Sequence, residues 1–374
     1  ARMLAHITYL SEEGMHGKFG RQLQSTDRKQ YEFQNEFTVE SYLDYQGAQF
    51  VNRFDANTYM YVTKAIDYFD IAERYGSLDA AMDEVQCNVL VLSYSSDWLY
   101  PPAHSQQVVY ALARQKKDVT YCNIKSSYGH DGFLLEVDTM DAIVSGFLKH
   151  NNDAQDMRNE AVESLPEKER TSTNHIVQGN ERRIDYELIL EHIEPNSRVL
   201  DIGCGDGDLL CHLSAEKNVQ GVGLEVNEQH VIHSIQNGVS VIQANINDGL
   251  SALPDQCFDY ITFTRTLQMV ERPHEVLHEM LRVGKKCIVT FPNFGYWAAR
   301  ALMFFTGKSP KTKNLPFDWY ESPNRHYFSI HDFRALCEQQ GIHIEAEIPL
   351  NSSGHIRFLP NVRAEDAIYI ISSK

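Results

Sequence analysis

The stretch Val199-Leu-Asp-Ile-Gly-Cys-Gly-Asp-Gly207 decides the fold of the second half of this chain. Apolar residues lead into glycines at alternate places, Gly203, Gly205 and Gly207, and then into a helical apolar pattern from Leu209 to Leu213. This order predicts a buried strand that turns sharply into a helix. Glycine has no Cβ, so it takes positive φ and lets a ligand lie against the backbone. The helix start presents free N–H groups and the positive end of its dipole, a place for an anion or the edge of a nucleotide. About twenty residues on, Val222-Gly-Leu-Glu225 reads as a second strand ending in an acid. That is where a ribose-binding carboxylate belongs in nucleotide-binding βαβ units.

Working outward, Ile184 to Ile193 reads as a helix before the strand Arg198 to Ile202. A helix from Glu228 to Gln236 and a strand from Val239 to Gln243 follow, the strand ending in Ala244-Asn245-Ile-Asn247. Next come a strand from Phe258 to Phe263, a helix from Pro273 to Arg282 and a strand from Lys286 to Phe291. The alternation predicts a doubly wound parallel sheet. The glycine spacing is not the dinucleotide Gly-x-Gly-x-x-Gly. It resembles motif I of the class I S-adenosylmethionine-dependent methyltransferases, with Asp201 and Glu225 in the expected places. The resemblance implies that Asp201, Gly203, Gly205, Gly207 and Glu225 hold S-adenosylmethionine. Asn245 stands where such enzymes carry an acid for the adenine amino group, and its amide oxygen can accept that bond.

Phe291-Pro-Asn-Phe-Gly-Tyr-Trp297, Leu315-Pro-Phe-Asp-Trp-Tyr-Glu-Ser-Pro-Asn324, His326 and Phe328-Ser-Ile-His-Asp-Phe333 resemble the MetW family, over about 182–345. That implies a place in methionine biosynthesis beside a MetX-type acyltransferase. No strong base for methyl transfer is evident. Tyr320, Asn324 and His326 fall where either a substrate loop or a docking surface belongs. Asp206 and Asp208 read as helix N-terminal charges rather than ligands.

The first half has another character. Residues 1–82 show helical patterns, with Phe50, Phe54, Tyr59, Tyr61, Tyr68 and Phe69 expected as the core of a helical cap. Val89-Leu-Val-Leu92 reads as a parallel strand covered on both faces. It runs into Ser95-Ser-Asp97-Trp98, at the carboxyl end where open α/β sheets place their chemistry. A helix from His104 to Arg114, a strand from Val119 to Ile124, the loop Ser126-Ser-Tyr-Gly-His130-Asp131 and a closing helix from Met140 to Lys149 follow. Strand, Asp loop, helix, strand, His loop, helix is the last third of an α/β-hydrolase. An Asp there can accept from the imidazole, fixing its tautomer and stabilising the imidazolium formed when a serine gives up its proton.

Ala1-Arg2-Met3, Ile7-Thr-Tyr-Leu-Ser11, Phe37-Thr-Val-Glu-Ser-Tyr-Leu43, Phe54-Asp-Ala-Asn57, Ser96-Asp-Trp-Leu-Tyr-Pro-Pro102 and Tyr128-Gly-His-Asp-Gly-Phe-Leu-Leu-Glu136 resemble the MetX-type homoserine O-acetyltransferases, over 1 to about 150. The resemblance implies that Asp97 and His130 are catalytic, and that Arg2 and Asp131 hold the carboxylate and amino group of L-homoserine, which suits their charges. Relatives that use a succinyl donor tend to carry Arg at the second position after the triad Asp. Here it is Leu99, so acetyl-CoA is the expected donor. The family's nucleophilic serine sits on a Gly-x-Ser-x-Gly elbow. No such motif occurs in these 374 residues, and Ser11, Ser95 and Ser96 are not on an elbow. The start at Ala1, inside a helical pattern, reads as a truncation, with the amino-terminal half of the acyltransferase expected as a missing partner. The chain alone is then expected not to transfer acetyl groups.

The fold class expected is α/β: a partial α/β-hydrolase (cap helices plus last strands) over 1–150, a polar linker over 151–183, and a Rossmann-like class I methyltransferase domain over 184–374. The function expected is that of a homoserine O-acetyltransferase fragment fused to a MetW-like domain. The alternatives are a methyltransferase with an unknown acceptor, or a regulatory domain without chemistry. A net charge of −17 argues against a nucleic-acid partner. No apolar run reaches membrane-spanning length, and no signal peptide is expected. The seven cysteines lack the paired spacing of zinc sites or disulfides. A cytoplasmic homodimer without metal is the expectation.

Overall fold

The computed structural model describes residues 2–24, 28–31, 33–160, 184–312, 314–352 and 354–373, in two units, 1–144 and 145–374. Among the described residues the first unit begins with six helices between Arg2 and Asp83. Their starts are written in the sequence: Ser11, Asp55, Asp70 and Ser77 each accept a backbone N–H of the turn that follows. The expectation that the aromatics here form a core fails. Tyr61, Tyr68 and Phe69 are each more than 70% exposed, and the helices Thr38–Arg53 and Ala56–Asp67 bury no residue. Helical periodicity says which residues share a face; it does not say that another element covers that face.

Strand β1 (Val89–Tyr94) then pairs in parallel with β2 (Val119–Ile124), Tyr94 opposite Ile124, across the helix Pro102–Arg114. Val89 to Leu92 are only half-buried, against the expectation of cover on both faces, while Ser93 and Tyr94 near the loop are buried. The closing helix runs Val137–Glu160, beyond its expected end at Lys149 and into the stretch read as linker. Residues 150–160 contain neither Pro nor Gly, so nothing there stops it. The rest of that stretch, 161–183, lies outside the described residues.

In the second unit β3 (Arg198–Ile202), β4 (Gln220–Glu225), β5 (Ser240–Gln243), β6 (Phe258–Thr264) and β7 (Gly284–Pro292) are parallel. Strands β8 (His343–Asn351), β9 (Gly354–His355) and β10 (Asp366–Ser372) complete the sheet in the order β5-β4-β3-β6-β7-β10-β8-β9. The last three are antiparallel, so the sheet is mixed rather than wholly parallel. The chain steps outward from β3 to β5 and then returns to β6 on the other side of β3. That reversal leaves a crevice at the carboxyl ends of β3 and β6, where open α/β sheets bind ligands. The helices Ile184–His192 and Asp208–Lys217 bury Ile189, Leu190, Leu209 and Leu213 in one cluster with Val199 of β3.

Much of the aromatic motif near the end of β7 is structural. Phe291 stacks on Tyr369 at 5.7 Å between ring centroids, with Phe328 and Phe333 against it. Buried Asn293 donates to the carbonyls of Asn361 and Ala364, and its side-chain oxygen accepts from Gly295 N and Ile330 N. One amide thus satisfies four backbone groups that would otherwise be buried unpaired. Among the described residues no helix is long and apolar enough to cross a membrane.

Candidate functional sites

Parallel register sets the first site. With Tyr94 opposite Ile124, the loops after β1 and β2 leave the sheet side by side, and Ser95 N continues the ladder onto Ile124 O at 2.9 Å. Asp97 is 6% exposed. Its Oδ1 accepts Leu99 N at 3.0 Å and Tyr100 N at 2.9 Å, and its Oδ2 lies 2.9 Å from His130 Nδ1. Two backbone donors fix the carboxylate, and the oxygen that remains faces the imidazole. A carboxylate at Nδ1 holds the proton there and leaves Nε2 with its lone pair outward, the arrangement of a general base. Tyr9, Tyr100 and Phe133 surround the ring, with centroids 5.3–5.8 Å away. Among the described residues no hydrogen bond reaches Nε2.

His130 is placed by the glycine before it. Gly129 has φ +65°, and its N–H donates to Ser96 Oγ at 2.9 Å. A Cβ there would lie 2.6 Å from Tyr9 O and 2.7 Å from Ser11 N, so the helix Arg2–Tyr9 ends directly against the His loop. Ser11 Oγ donates to Ser127 O and accepts Gly14 N, tying the same two segments. The three serines considered above are all engaged away from His130: Ser95 with Ser126, Ser96 with Gly129, and Ser11 as described.

Arg2 and Asp131 are less directly joined. The Arg2 guanidinium lies 5.9 Å from the Tyr9 ring centroid and 5.8 Å from that of Phe50. It lines an open apolar cleft of about 950 Å³ with Met3, Phe54 and Tyr59. Asp131 follows His130 in the same short turn. Both charges reach His6, whose imidazole is held below its ordinary value by burial first and then by Arg2, with Asp131 opposing. No hydrogen bond or ion pair between Arg2 and Asp131 is recorded among the described residues.

The second site is the glycine loop. Gly203, Gly205 and Gly207 all have positive φ, +71°, +56° and +83°. The outer two are packing glycines: a Cβ at Gly203 would meet Thr266 Oγ1 at 2.7 Å, and one at Gly207 would meet Val239 at 2.8 Å. At Gly205 nothing lies within 4 Å, so this residue presents open backbone. Glu225, expected to face a ribose, is turned onto the loop. Its Oε2 accepts Gly205 N at 3.0 Å and its Oε1 accepts the amides of Val226 and Asn227 at 2.8 Å. A carboxylate oxygen has a second lone pair, so this bonding leaves acceptor capacity. Asp201 is buried and accepts Thr262 Oγ1 at 2.7 Å. Asn245 is exposed, its side-chain oxygen accepting both the backbone and the side-chain nitrogen of Asn247 at 3.0 Å. Burial, then the charges of Asp201 and Glu225, push the Cys204 thiol far above its ordinary value, so it is no nucleophile.

Of the expected loop candidates, His326 is structural. Its Nε2 lies 3.0 Å from Val270 O, and its own N–H and that of Arg325 donate to Gln268 O. Tyr320 is exposed, and Asn324 N bonds Ser322 Oγ at 3.2 Å. Asp206, read as a helix charge, faces His230 and His233 instead. The signal in the sequence was a pair of histidines three apart on a helix. Burial raises the Asp206 carboxyl, but the two rings outweigh it and hold it below the usual carboxylate value.

A family model described as methionine biosynthesis protein MetW matches residues 183–371. The bifunctional methionine biosynthesis protein MetXA/MetW of Rhodopirellula baltica is 37% identical over 360 residues, covering 93% of this chain and 55% of that protein. The homoserine O-acetyltransferase of Methanohalobium evestigatum is 52% identical over 150 residues, 40% of this chain and 30% of that enzyme. The chain thus spans about half of the first relative's length and less than a third of the second's. A Thermotoga maritima structure described as a methyltransferase is 18% identical with a TM-score of 0.39, covering 51% of this chain and 90% of that one.

Gly129→Ala separates contact from conformation. Alanine at positive φ costs on the order of 1–2 kcal/mol wherever it stands. Gly76 has φ +87° with nothing near its missing Cβ, so Gly76→Ala carries that cost alone. Denaturant unfolding is expected to show a clearly larger loss for Gly129→Ala. Equal losses would mean that the helix end does not press on the His loop.

Proposed function

The chain belongs to the MetW family of methionine biosynthesis proteins, and from that premise we propose that it serves methionine biosynthesis by joining homoserine O-acetyltransferase chemistry in its first unit to a cofactor-binding unit in its second. The observation that carries the acyl-transfer reading is the Asp97–His130 contact at 2.9 Å, with Asp97 buried and held by two backbone amides. In this reading His130 takes the proton of a serine as that serine attacks the acyl carbon of acetyl-CoA. His130 passes that proton to the departing CoA sulfur, then takes the proton of the L-homoserine hydroxyl as this attacks the acetyl-serine ester, and returns it to the serine oxygen as the ester bond breaks. Asp97 keeps the imidazole in one tautomer and stabilises its charged form. Arg2 and Asp131 have the charges to receive the substrate carboxylate and amino group. Leu99 supplies no cation for the second carboxylate of a succinyl donor.

The serine is proposed to come from the amino-terminal half of the acyltransferase, outside these 374 residues, and the assembly is proposed to be a cytoplasmic homodimer. The experiment measures O-acetylhomoserine formed from acetyl-CoA and L-homoserine. No turnover is expected from this chain alone. With the Gly-x-Ser-x-Gly segment of a relative joined before it, turnover is expected and should fall by about 10³-fold or more in His130→Ala. Turnover unaffected by that substitution would overturn the reading.

For the second unit, the open backbone at Gly205 and the spare acceptor capacity of Glu225 fit an S-adenosylmethionine-like nucleoside, with Gly203, Gly207 and Asp201 shaping the loop. Such a cofactor supplies a methyl group when bound. His326, the histidine of the candidate substrate loop, is committed to Val270 O, which favours binding and regulation over methyl transfer to an acceptor. Calorimetry with S-adenosylmethionine tests this. Binding is expected for the chain and should be lost in Gly205→Val, which fills the open space. Absence of binding in the unaltered chain would remove the cofactor reading and leave the acyl-transfer reading intact.

A further inference from the structure

Asp206 sits in the glycine loop between the open Gly205 and the packing glycine Gly207. Across from it, His230 and His233 stand three residues apart on the helix Glu228–Gln236, so their side chains leave one face together. Asp206 Oδ1 lies 2.6 Å from His230 Nδ1 and 3.3 Å from His233 Nδ1, and one donor atom from each of the three residues falls within 4.8 Å of the others. The side chains are 43–55% exposed, so a hydrated ion can reach all three.

We propose that Asp206, His230 and His233 form a binding site for a divalent transition-metal ion of the zinc class, which ties the glycine loop to the neighbouring helix. The donor set selects the ion. Two imidazole nitrogens and one carboxylate oxygen suit zinc, cobalt or nickel, whereas magnesium and calcium want oxygen. Around zinc, ligand atoms stand about 2.0–2.2 Å from the ion and therefore roughly 3.3–3.5 Å from each other in a tetrahedral shell. The Asp206–His233 separation already matches, and the His230 contact need open by less than about 1 Å. The open side leaves the fourth position to water.

The backbone around these donors is already held. Ser234 Oγ donates to Gly205 O at 2.8 Å, and Asn237 Nδ2 donates to Asp206 O at 3.0 Å. The loop and the helix are therefore joined before any ion arrives, so binding need order little more than three side chains. An ordinary surface ion pair among the same residues would show no preference for one divalent ion over another. The site rests on its own three residues, and it stands whether or not the loop takes a nucleoside.

The test uses the full chain, stripped with chelator and titrated with Zn²⁺ in competition with a chromophoric chelator. One zinc equivalent is expected, undisturbed by excess Mg²⁺ or Ca²⁺. Asp206→Asn and His233→Gln should each weaken it by about tenfold or more. Co²⁺ in place of zinc should give ligand-field absorption that disappears in His230→Gln/His233→Gln. Backbone amides of residues 204–208 should exchange more slowly with zinc present. Because the side chains are exposed, the metal-free variants should melt as the unaltered chain does; if the double variant unfolds, His233→Gln carries the test. Zinc bound equally well by the unaltered chain and by His233→Gln would overturn the proposal, as would zinc binding no tighter than that of Mg²⁺.

Discussion

A carboxylate has two oxygens, and at Asp97 they face different ways. One accepts the amides of Leu99 and Tyr100, and the other is left for His130 Nδ1. Because the residue is buried, the group has no water to turn toward, so its direction is set by the loop that folds over it. Everything else in the first site follows from keeping that direction useful. Parallel register brings the two loops together. Gly129 allows the turn that presents the imidazole, and the end of the helix Arg2–Tyr9 closes against it. The residues from Tyr128 to Asp131 therefore work as one unit with segments far away in sequence.

The same physics recurs in the second unit with another outcome. Glu225 also ends a strand and is also bonded by backbone amides, but one of those amides belongs to Gly205. Here the carboxylate aims a loop rather than a ring. Gly203 and Gly207 let side chains of the fold approach, and Gly205 alone is left facing open space. The loop's back is clipped to the helix Glu228–Gln236 through Ser234 and Asn237. The loop is thus joined to that helix through its own backbone carbonyls while Gly205 stays open.

The strands and their loops were legible in the sequence because alternation of apolar runs with glycine or acidic ends is a local property. Arg198 to Ile202 and Val119 to Ile124 read from residue types at the same bounds that they have in the fold. What was not legible depends on partners. Phe69 and Tyr68 have the spacing of a core stripe yet stand exposed, because no periodicity announces the element that would cover them. The antiparallel strands β8 and β10 went unread beside five parallel ones, since the direction of a strand is a tertiary fact. His326 looked like a site residue and is bonded to the carbonyl of Val270 instead. Asp206 looked like a helix charge and meets histidines 24 and 27 residues further along the chain.

The first site depends most directly on the tautomer that Asp97 imposes on His130. Nitrogen-15 NMR of the histidine-labelled chain at about pH 8, above the ordinary imidazole range, reads it without any substrate. The expected spectrum has His130 protonated at Nδ1 with Nε2 unprotonated, and a shift toward the Nε2–H form in Asp97→Asn. A His130 that is Nε2-protonated in the unaltered chain, and unmoved by Asp97→Asn, would contradict it.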